Sequence, residues 1–197
     1  MADNAESEVI NLYQPKKRFI IPINNFHVPK KLFKLFKKNT FTFKINNNFE
    51  SVISKCQLAN RKDNGTWINS IILDSYLNLH YGKKAHSVEC YEQNQLIGGL
   101  YGVHIGGCFF GESMFSELPN TSKFCLLYLV AILKKNLFSI LDSQFYNEHL
   151  IQFGAFEIEN KIYLKELTLS INEKRAFAFI ENFQEVLSLL QPNSHKS

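Results

Sequence analysis

Cysteine is scarce in this chain and poorly placed for chemistry. Cys56, Cys90, Cys108 and Cys125 form no Cys-x-x-Cys pair and have no histidine at ligand spacing. A disulfide scaffold and a zinc site are thereby set aside, and no metal is expected. Long apolar runs are also missing. Phe124 to Leu133 is the longest near the middle, far short of the roughly 20 residues of a membrane span. No basic stretch joins an apolar one near Met1, so no leader is expected and the reading is cytoplasmic. No glycine-rich loop precedes a helix, which removes the usual phosphate cradle, and no cofactor is expected. No Ser-His-Asp or Cys-His arrangement stands out. His86, on an expected strand, reads as a hydrogen-bonded structural residue, and Cys108 and Cys125 as small core residues. Net charge is only +4, so an argument for nucleic acid must rest on where the lysines sit.

What is present is an apolar chain, 45% hydrophobic and 14% aromatic over 197 residues, enough for one domain with a small appendage. Its organising stretch is Gly98 to Ser116. Two runs rich in Tyr, Val, Ile and Phe flank Gly106-Gly107, which predicts a β-hairpin whose second strand ends on Glu112. Six of the chain's nine glycines lie between Gly98 and Gly111. Glycines weaken strands unless something approaches closely, so something is expected to lie against this hairpin.

Residues 1 to about 10 are polar and acidic and read as mobile. Phe19-Ile20-Ile21 is a short strand. Lys30, Lys31, Lys34, Lys37 and Lys38 fall on one face of a short helix, with Leu32, Phe33, Leu35 and Phe36 opposite. A strand at Phe41–Ile45, a helix at Phe49–Cys56 and a turn at Arg61–Gly65 follow. A helix capped by Asn69 or Ser70 ends at Gly82. Beyond a strand at Ala85–Tyr91 and the hairpin, Pro119 to Ser122 signals a helix start. The helix to Lys135 is apolar almost all round and so buried. A strand at Leu137–Leu141, a short helix closed by Gly154 and a strand at Ala155–Ile158 come next. A single C-terminal helix is expected over Glu173–Leu190, with Phe177, Ile180, Phe183, Val186 and Leu187 on one face. The fold class is α+β, a mixed, largely antiparallel sheet flanked by helices, in an order like a GNAT-like acyltransferase core. The expected division is a truncated N-terminal segment over 1–45, carrying the basic helix, and a catalytic domain over 46–197.

Glu112, Asp142 and Gln144 sit where core strands end. Asp142 and Gln144 are two apart and share a face if extended. Should their strand lie beside that of Glu112, the three converge over an apolar floor of Leu100, Phe109, Met114, Leu126 and Leu141, the usual form of a small-ligand site. The plainer reading has Asp142 capping a turn and Glu112 on a rim. The lysine face is either solvated or a phosphate-backbone contact, with Lys16, Lys17 and Arg18 close upstream. Trp67, the only tryptophan, is either core or, at a loop-to-helix junction, a base-stacking platform.

Five motifs in order carry a resemblance: Gly65-Thr66-Trp67-Ile68, Ala85-His86-Ser87-Val88-Glu89, Gly98-Gly99-Leu100-Tyr101-Gly102-Val103, Phe110-Gly111-Glu112-Ser113-Met114-Phe115-Ser116 and Leu141-Asp142-Ser143-Gln144. Together with Ser122-Lys123 and Gly154-Ala155-Phe156-Glu157-Ile158, they resemble leucyl/phenylalanyl-tRNA–protein transferases over residues 12 to 165. The resemblance implies transfer of Leu or Phe, less often Met, from aminoacyl-tRNA to proteins with N-terminal Arg or Lys, which the Clp protease system then reads. It implies Leu-tRNA, Phe-tRNA and such acceptor proteins as partners, a monomer, and no membrane.

By the same resemblance, Leu100, Phe109, Met114, Leu126 and Leu141 line the aminoacyl pocket, Trp67 and Tyr13 meet the terminal adenosine, and the five lysines hold the acceptor stem. Gln144 contacts the attacking amine with Asp142 polarising it, and Glu112 positions the incoming N-terminus or its cationic side chain. An amide is a very weak base, so Gln144 reads as an orienter. The chain departs from the family pattern in lacking the Gly-Gly and Gly-Ile-Phe-Pro-Trp elements. It also has Leu12-Tyr13 where paired tryptophans are usual, and Glu159-Asn160-Lys161 in place of Pro-Arg-Arg. The alternatives are a related tRNA-dependent aminoacyltransferase with a shifted acceptor, and a tRNA-binding remnant.

Overall fold

A computed structural model describes residues 1–59 and 66–191; the expected turn over 61–65 lies outside the described residues. In chain order the elements are β1 (Lys17–Ile20), α1 (Lys30–Lys38), β2 (Thr42–Ile45), α2 (Phe49–Leu58), α3 (Ser70–Tyr81), β3 (Ala85–Glu92), β4 (Gln95–Ile105), β5 (Cys108–Ser116), α4 (Thr121–Lys135), β6 (Ile140–Asp142), α5 (Glu148–Ile151), β7 (Phe156–Glu159), α6 (Asn160–Ser170) and α7 (Phe183–Leu190).

One seven-stranded sheet runs in the order β2-β3-β4-β5-β6-β1-β7. Its pairs are antiparallel except β5 with β6. That parallel pair needs a crossover, and α4 supplies it. The chain is therefore α+β with a mixed sheet flanked by helices. Residues 1–45 contribute β1 and β2 to this sheet, one in its interior and one at its edge, so the sheet runs across the expected boundary at 45/46.

Alternation along the strands divides the core. Leu100 faces a cluster with α4, α1 and α7, while its neighbour Tyr101 faces a second cluster with α2 and α3. Every residue of α4 from Phe124 to Leu133 is buried, as an all-apolar helix requires. Helix α1 is fixed by Phe36, fully buried among Phe43, Phe124 and Phe183 at ring distances of 5.6, 5.4 and 5.1 Å. Leu35, expected beside it on the apolar face, is 45% exposed instead.

Two expectations change. The N-terminal residues are docked: Ala2 is buried and bridges Ile10, its N–H donates to the Trp67 carbonyl at 3.0 Å, and Asn69 donates to the Ser7 carbonyl at 2.6 Å. Asn69 does this while capping α3 through its Oδ1. The C-terminal stretch is also two helices, α6 and α7, joined by an irregular crossing. Phe177 and Ile180 recur at helical spacing, yet Phe177 stacks on His86 and Phe109, and the Ile180 carbonyl accepts from Tyr128. The Asn182 side chain then caps α7, accepting from the Gln184 N–H at 2.9 Å.

Candidate active site

The cavity follows from the parallel pair. Strand β6 registers with β5 only from Cys108↔Ile140 to Phe110↔Asp142 and then stops, while β5 continues to Ser116. The gap beyond Asp142 opens a cavity of about 650 Å³. Gly111 to Met114 form one wall and Leu141 to Ser143 the other. Leu100, Leu126, Leu129, Leu150 and Phe153 supply apolar surface, and Ser122, Lys123, Asn147 and His149 polar groups. Of the expected floor, Leu100, Met114, Leu126 and Leu141 are there. Phe109 is not: it points beneath Gly102 and stacks on Phe177 at 5.4 Å, outside the cavity lining.

Glu112 is not at a strand end. Tyr101 pairs with Ser113 and Gly102 with Gly111, which leaves Glu112 as the extra residue of a β-bulge, a device that re-aims a side chain next to a site. Burial raises its pKa to about 7, the nearby Tyr76 hydroxyl partly offsets this, and the Asp142 charge adds to it. A carboxyl raised from 4.5 stabilises the fold below its unfolded pKa, and that contribution is lost as pH rises through about 7. Glu112→Gln is therefore expected to show a smaller fall in Tm than wild type between about pH 5 and 8. An equal fall in the two proteins counts against this account.

Asp142 is fully buried and its carboxylate is committed on both oxygens. Oδ2 accepts from Arg18, with Nε at 3.1 Å, and from the Tyr163 hydroxyl at 2.6 Å. Oδ1 accepts from the Gln144 backbone N–H at 2.8 Å. Gln144 is off the strand, at φ 62°, so the shared extended face expected for it and Asp142 does not occur. Its Nε2 lies 3.4 Å from the Asp142 backbone carbonyl. The carboxylate thus meets the Gln144 main chain and not its side chain. Gln144 follows the lining residue Ser143 and is itself outside the cavity lining.

His86 is structural. The Asn46 amide oxygen is taken up by the Ser87 N–H, so its NH2 donates to Nδ1 at 3.0 Å. Burial, with His104 and His80 adding, lowers the His86 pKa to about 4. Lys30, Lys31, Lys34, Lys37 and Lys38 are all exposed. Their helix meets α4 through Phe36, which packs on Phe124, and none of the five lysines lines the cavity. Trp67 is half-buried against the α2–α3 cluster, Tyr13 is exposed, and neither lines the cavity.

Residues 20–168 match the family model of leucyl/phenylalanyl-tRNA protein transferase. The chain belongs to that family. Its members are aminoacyltransferases. The chain is similar to the leucyl/phenylalanyl-tRNA–protein transferase of Zymomonas mobilis, 42% identical over 172 residues that make up 87% of this chain and 64% of that protein. It is similar to that of Phenylobacterium zucineum at 44% identity, over 85% of this chain and 76% of that protein. With that of Prosthecochloris aestuarii it shares 40% identity, over 85% and 87%. The chain therefore spans just under two thirds of the first of these relatives and more of the other two. Among the described residues, no helix of this transferase-family chain is long and apolar enough to cross a membrane.

Beyond the residues the sequence singled out, Leu129, Leu150 and Phe153 add apolar surface, and Asn147 and His149 add polar groups. Tyr76 and Tyr163 meet the carboxylates, while Arg18, read from the sequence with the phosphate-contacting lysines, pairs with Asp142. Leu129 follows Leu126 by three on α4 and so shares its face, a signal that was present. Tyr76, Arg18 and Tyr163 come from α3, β1 and α6, and only tertiary pairing brings them in.

The glycine surplus is mostly answered by the protein itself. A Cβ at Gly102 would lie 2.2 Å from the Phe110 carbonyl, at Gly98 2.5 Å from Thr121, and at Gly106 2.3 Å from the Ile171 carbonyl. Gly111 differs: a Cβ there meets only the Asp142 carbonyl, at 3.8 Å, and would stand in the cavity wall. Gly111→Ala is expected to keep its Tm within the range of a neutral substitution, about 0.5 kcal/mol. Gly102→Ala, meeting backbone, is expected to lose on the order of 1–3 kcal/mol. Thermal melts of both variants check the contrast, and equal losses would refute it.

Proposed function

We propose that this chain moves Leu or Phe, and Met less well, from aminoacyl-tRNA to the α-amino group of proteins that begin with Arg or Lys, marking them for N-end-rule degradation. The observation that carries the reading is the cavity itself: leucines and a methionine on its walls, the bulged Glu112 on one side, and Leu141 to Ser143 on the other, with Gln144 the next residue along the chain. The sheet order and its single parallel pair, opened beyond β6, support a GNAT-like core.

An apolar cavity of this kind suits a side chain such as that of Leu, Phe or Met, and the family resemblance implies that Val or Ile is excluded by branching at Cβ. The exposed lysines of α1 suit phosphates read without regard to sequence. An aminoacyl ester is already activated. The neutral amine nitrogen attacks its carbonyl carbon, the C–N bond forms, the ester C–O bond to the ribose breaks, and the amine's proton leaves with the departing hydroxyl. The chain's task is orientation and support for the tetrahedral oxyanion. Gln144 orients the amine. Glu112, ionised above about pH 7, attracts the cationic first residue of the acceptor, so transfer to an Arg-starting peptide rises as pH passes through that range.

The test is transfer of radiolabelled Leu from Leu-tRNA to an Arg-starting peptide, with Val-tRNA and an N-acetylated peptide as controls. Transfer with Leu, little with Val and none to the blocked peptide is the expected result. Salt-sensitive tRNA binding without transfer to Arg or Lys peptides would replace this reading with a shifted acceptor or a binding remnant. Absence of both transfer and tRNA binding overturns it.

A further inference from the structure

Gln144 sits in a conformation it does not favour. A left-handed backbone is unusual for a residue other than glycine, asparagine or aspartate and persists only where the surroundings impose it. Here they do so on both sides of the residue. The Gln144 N–H donates to Asp142 Oδ1 at 2.8 Å, and its carbonyl accepts from the Phe19 N–H at 3.2 Å. The preceding Ser143 is tied to the Phe19 carbonyl through both its N–H, at 3.0 Å, and its hydroxyl, at 2.9 Å.

The Asp142 side chain can serve as that anchor only while its rotamer is fixed, and its other oxygen is where the fixing occurs. Arg18 comes from the strand beside it and Tyr163 from the helix beyond. The guanidinium lies over the Tyr163 ring at 4.8 Å, so the two donors also hold each other. All three side chains are largely withdrawn from water: Arg18 is 14% exposed, Asp142 is fully buried and Tyr163 is 3% exposed. A surface ion pair would need no such construction.

We propose that Arg18 and Tyr163 are positioning residues for aminoacyl transfer, acting through the Asp142 carboxylate to hold the Gln144 backbone in its left-handed conformation next to the cavity-lining Ser143. On this view Asp142 sets the place of the Gln144 carboxamide through the main chain and does not act on the carboxamide directly. The proposal rests on the reading of the site as a transferase centre in which Gln144 meets the attacking amine.

The test compares wild type, Tyr163→Phe, Asp142→Asn and the double variant. It reads kcat and KM for Leu-tRNA with an Arg-starting peptide, and hydrogen exchange at the Gln144 amide. Tyr163→Phe keeps the ring beneath Arg18 and its packing against Ile20, Cys108 and Ile140, so it removes only the hydroxyl. A small displacement of an orienting group costs on the order of tenfold to a hundredfold in rate. Tyr163→Phe is expected to lower kcat by about that factor, leave KM within about threefold, and speed exchange at the Gln144 amide. The double variant is expected to be no slower than Asp142→Asn alone, because both substitutions cut the same chain of contacts.

Arg18→Lys, which keeps the charge but loses the fork, should show the same pattern. Wild-type kcat in Tyr163→Phe, a change confined to KM, independent losses in the double variant, or unaltered exchange at the Gln144 amide would each overturn the proposal. If wild type itself transfers nothing, the functional reading falls, and the amide exchange alone decides whether Arg18 and Tyr163 fix the Gln144 backbone.

Discussion

Asp142→Ala is expected to lower the Tm by roughly 10 °C and to remove measurable transfer. The substitution leaves the Arg18 guanidinium, the Tyr163 hydroxyl and the Gln144 N–H without their common acceptor. Removing one partner of a buried ion pair costs about 3–5 kcal/mol, because the other charge stays behind unpaired. In a domain of this size each kcal/mol corresponds to about 2–4 °C. Asp142→Asn retains one acceptor oxygen and should fall between Asp142→Ala and wild type. Calorimetry on the three proteins at neutral pH measures the order. A drop of only a degree or two in Asp142→Ala would show that the contacts are replaced by water and the corner is loosely held.

The second large effect is expected far from the cavity. Phe36→Ala removes a fully buried ring that touches Phe43, Phe124 and Phe183. Truncating a buried phenylalanine costs about 3–5 kcal/mol, most where the site cannot collapse. Collapse is restricted here, since the three surrounding rings belong to β2, α4 and α7, held by separate parts of the core. Phe36 also anchors the only buried face of α1, so the five lysines lose their fixed direction when it goes. In the purified variant, tRNA binding should weaken and its salt dependence flatten even at a temperature where the rest of the chain stays folded. Unchanged salt dependence would mean that the lysine face is merely solvated.

How far the sequence reveals this molecule depends on the range of the signal. The hairpin about Gly106-Gly107, the all-apolar α4 and the Asn69 cap of α3 are legible because their causes lie within a few residues. The meeting of Glu112 and Asp142 at one cavity could be anticipated only on the condition that β6 lie beside β5, a long-range pairing that the structure has, while the shared face with Gln144 does not form. Legibility fails where a residue's environment comes from a distant segment. Phe109 has the composition of a cavity residue, but the bulge and Gly102 direct it to Phe177. Helix α6 follows β7 without a glycine, a proline or a side-chain cap to announce it. The pattern Phe177, Ile180, Phe183 has helical spacing, yet the chain there is stretched across the core until Asn182. The surplus of glycines was a true signal whose source was mostly the protein's own packing. Gly111 alone among those from 98 to 111 could take a Cβ without a close contact.

The place of β1 has a bearing on how the polypeptide acquires its structure. Lys17–Ile20 is made early, yet its two neighbours in the sheet are β6 and β7, whose residues end at Glu159. On a translating ribosome this strand has no partner until β6, which ends at Asp142, has been made, and its second neighbour follows only with β7. The hairpin of β4 and β5, closed by a two-residue turn, has no such wait, so local pairing precedes the insertion of β1. Arg18 travels with that strand. The corner that holds Asp142 and Gln144 is therefore completed late in folding, and a nascent chain stalled short of α6 carries it without the Tyr163 hydrogen bond to Asp142.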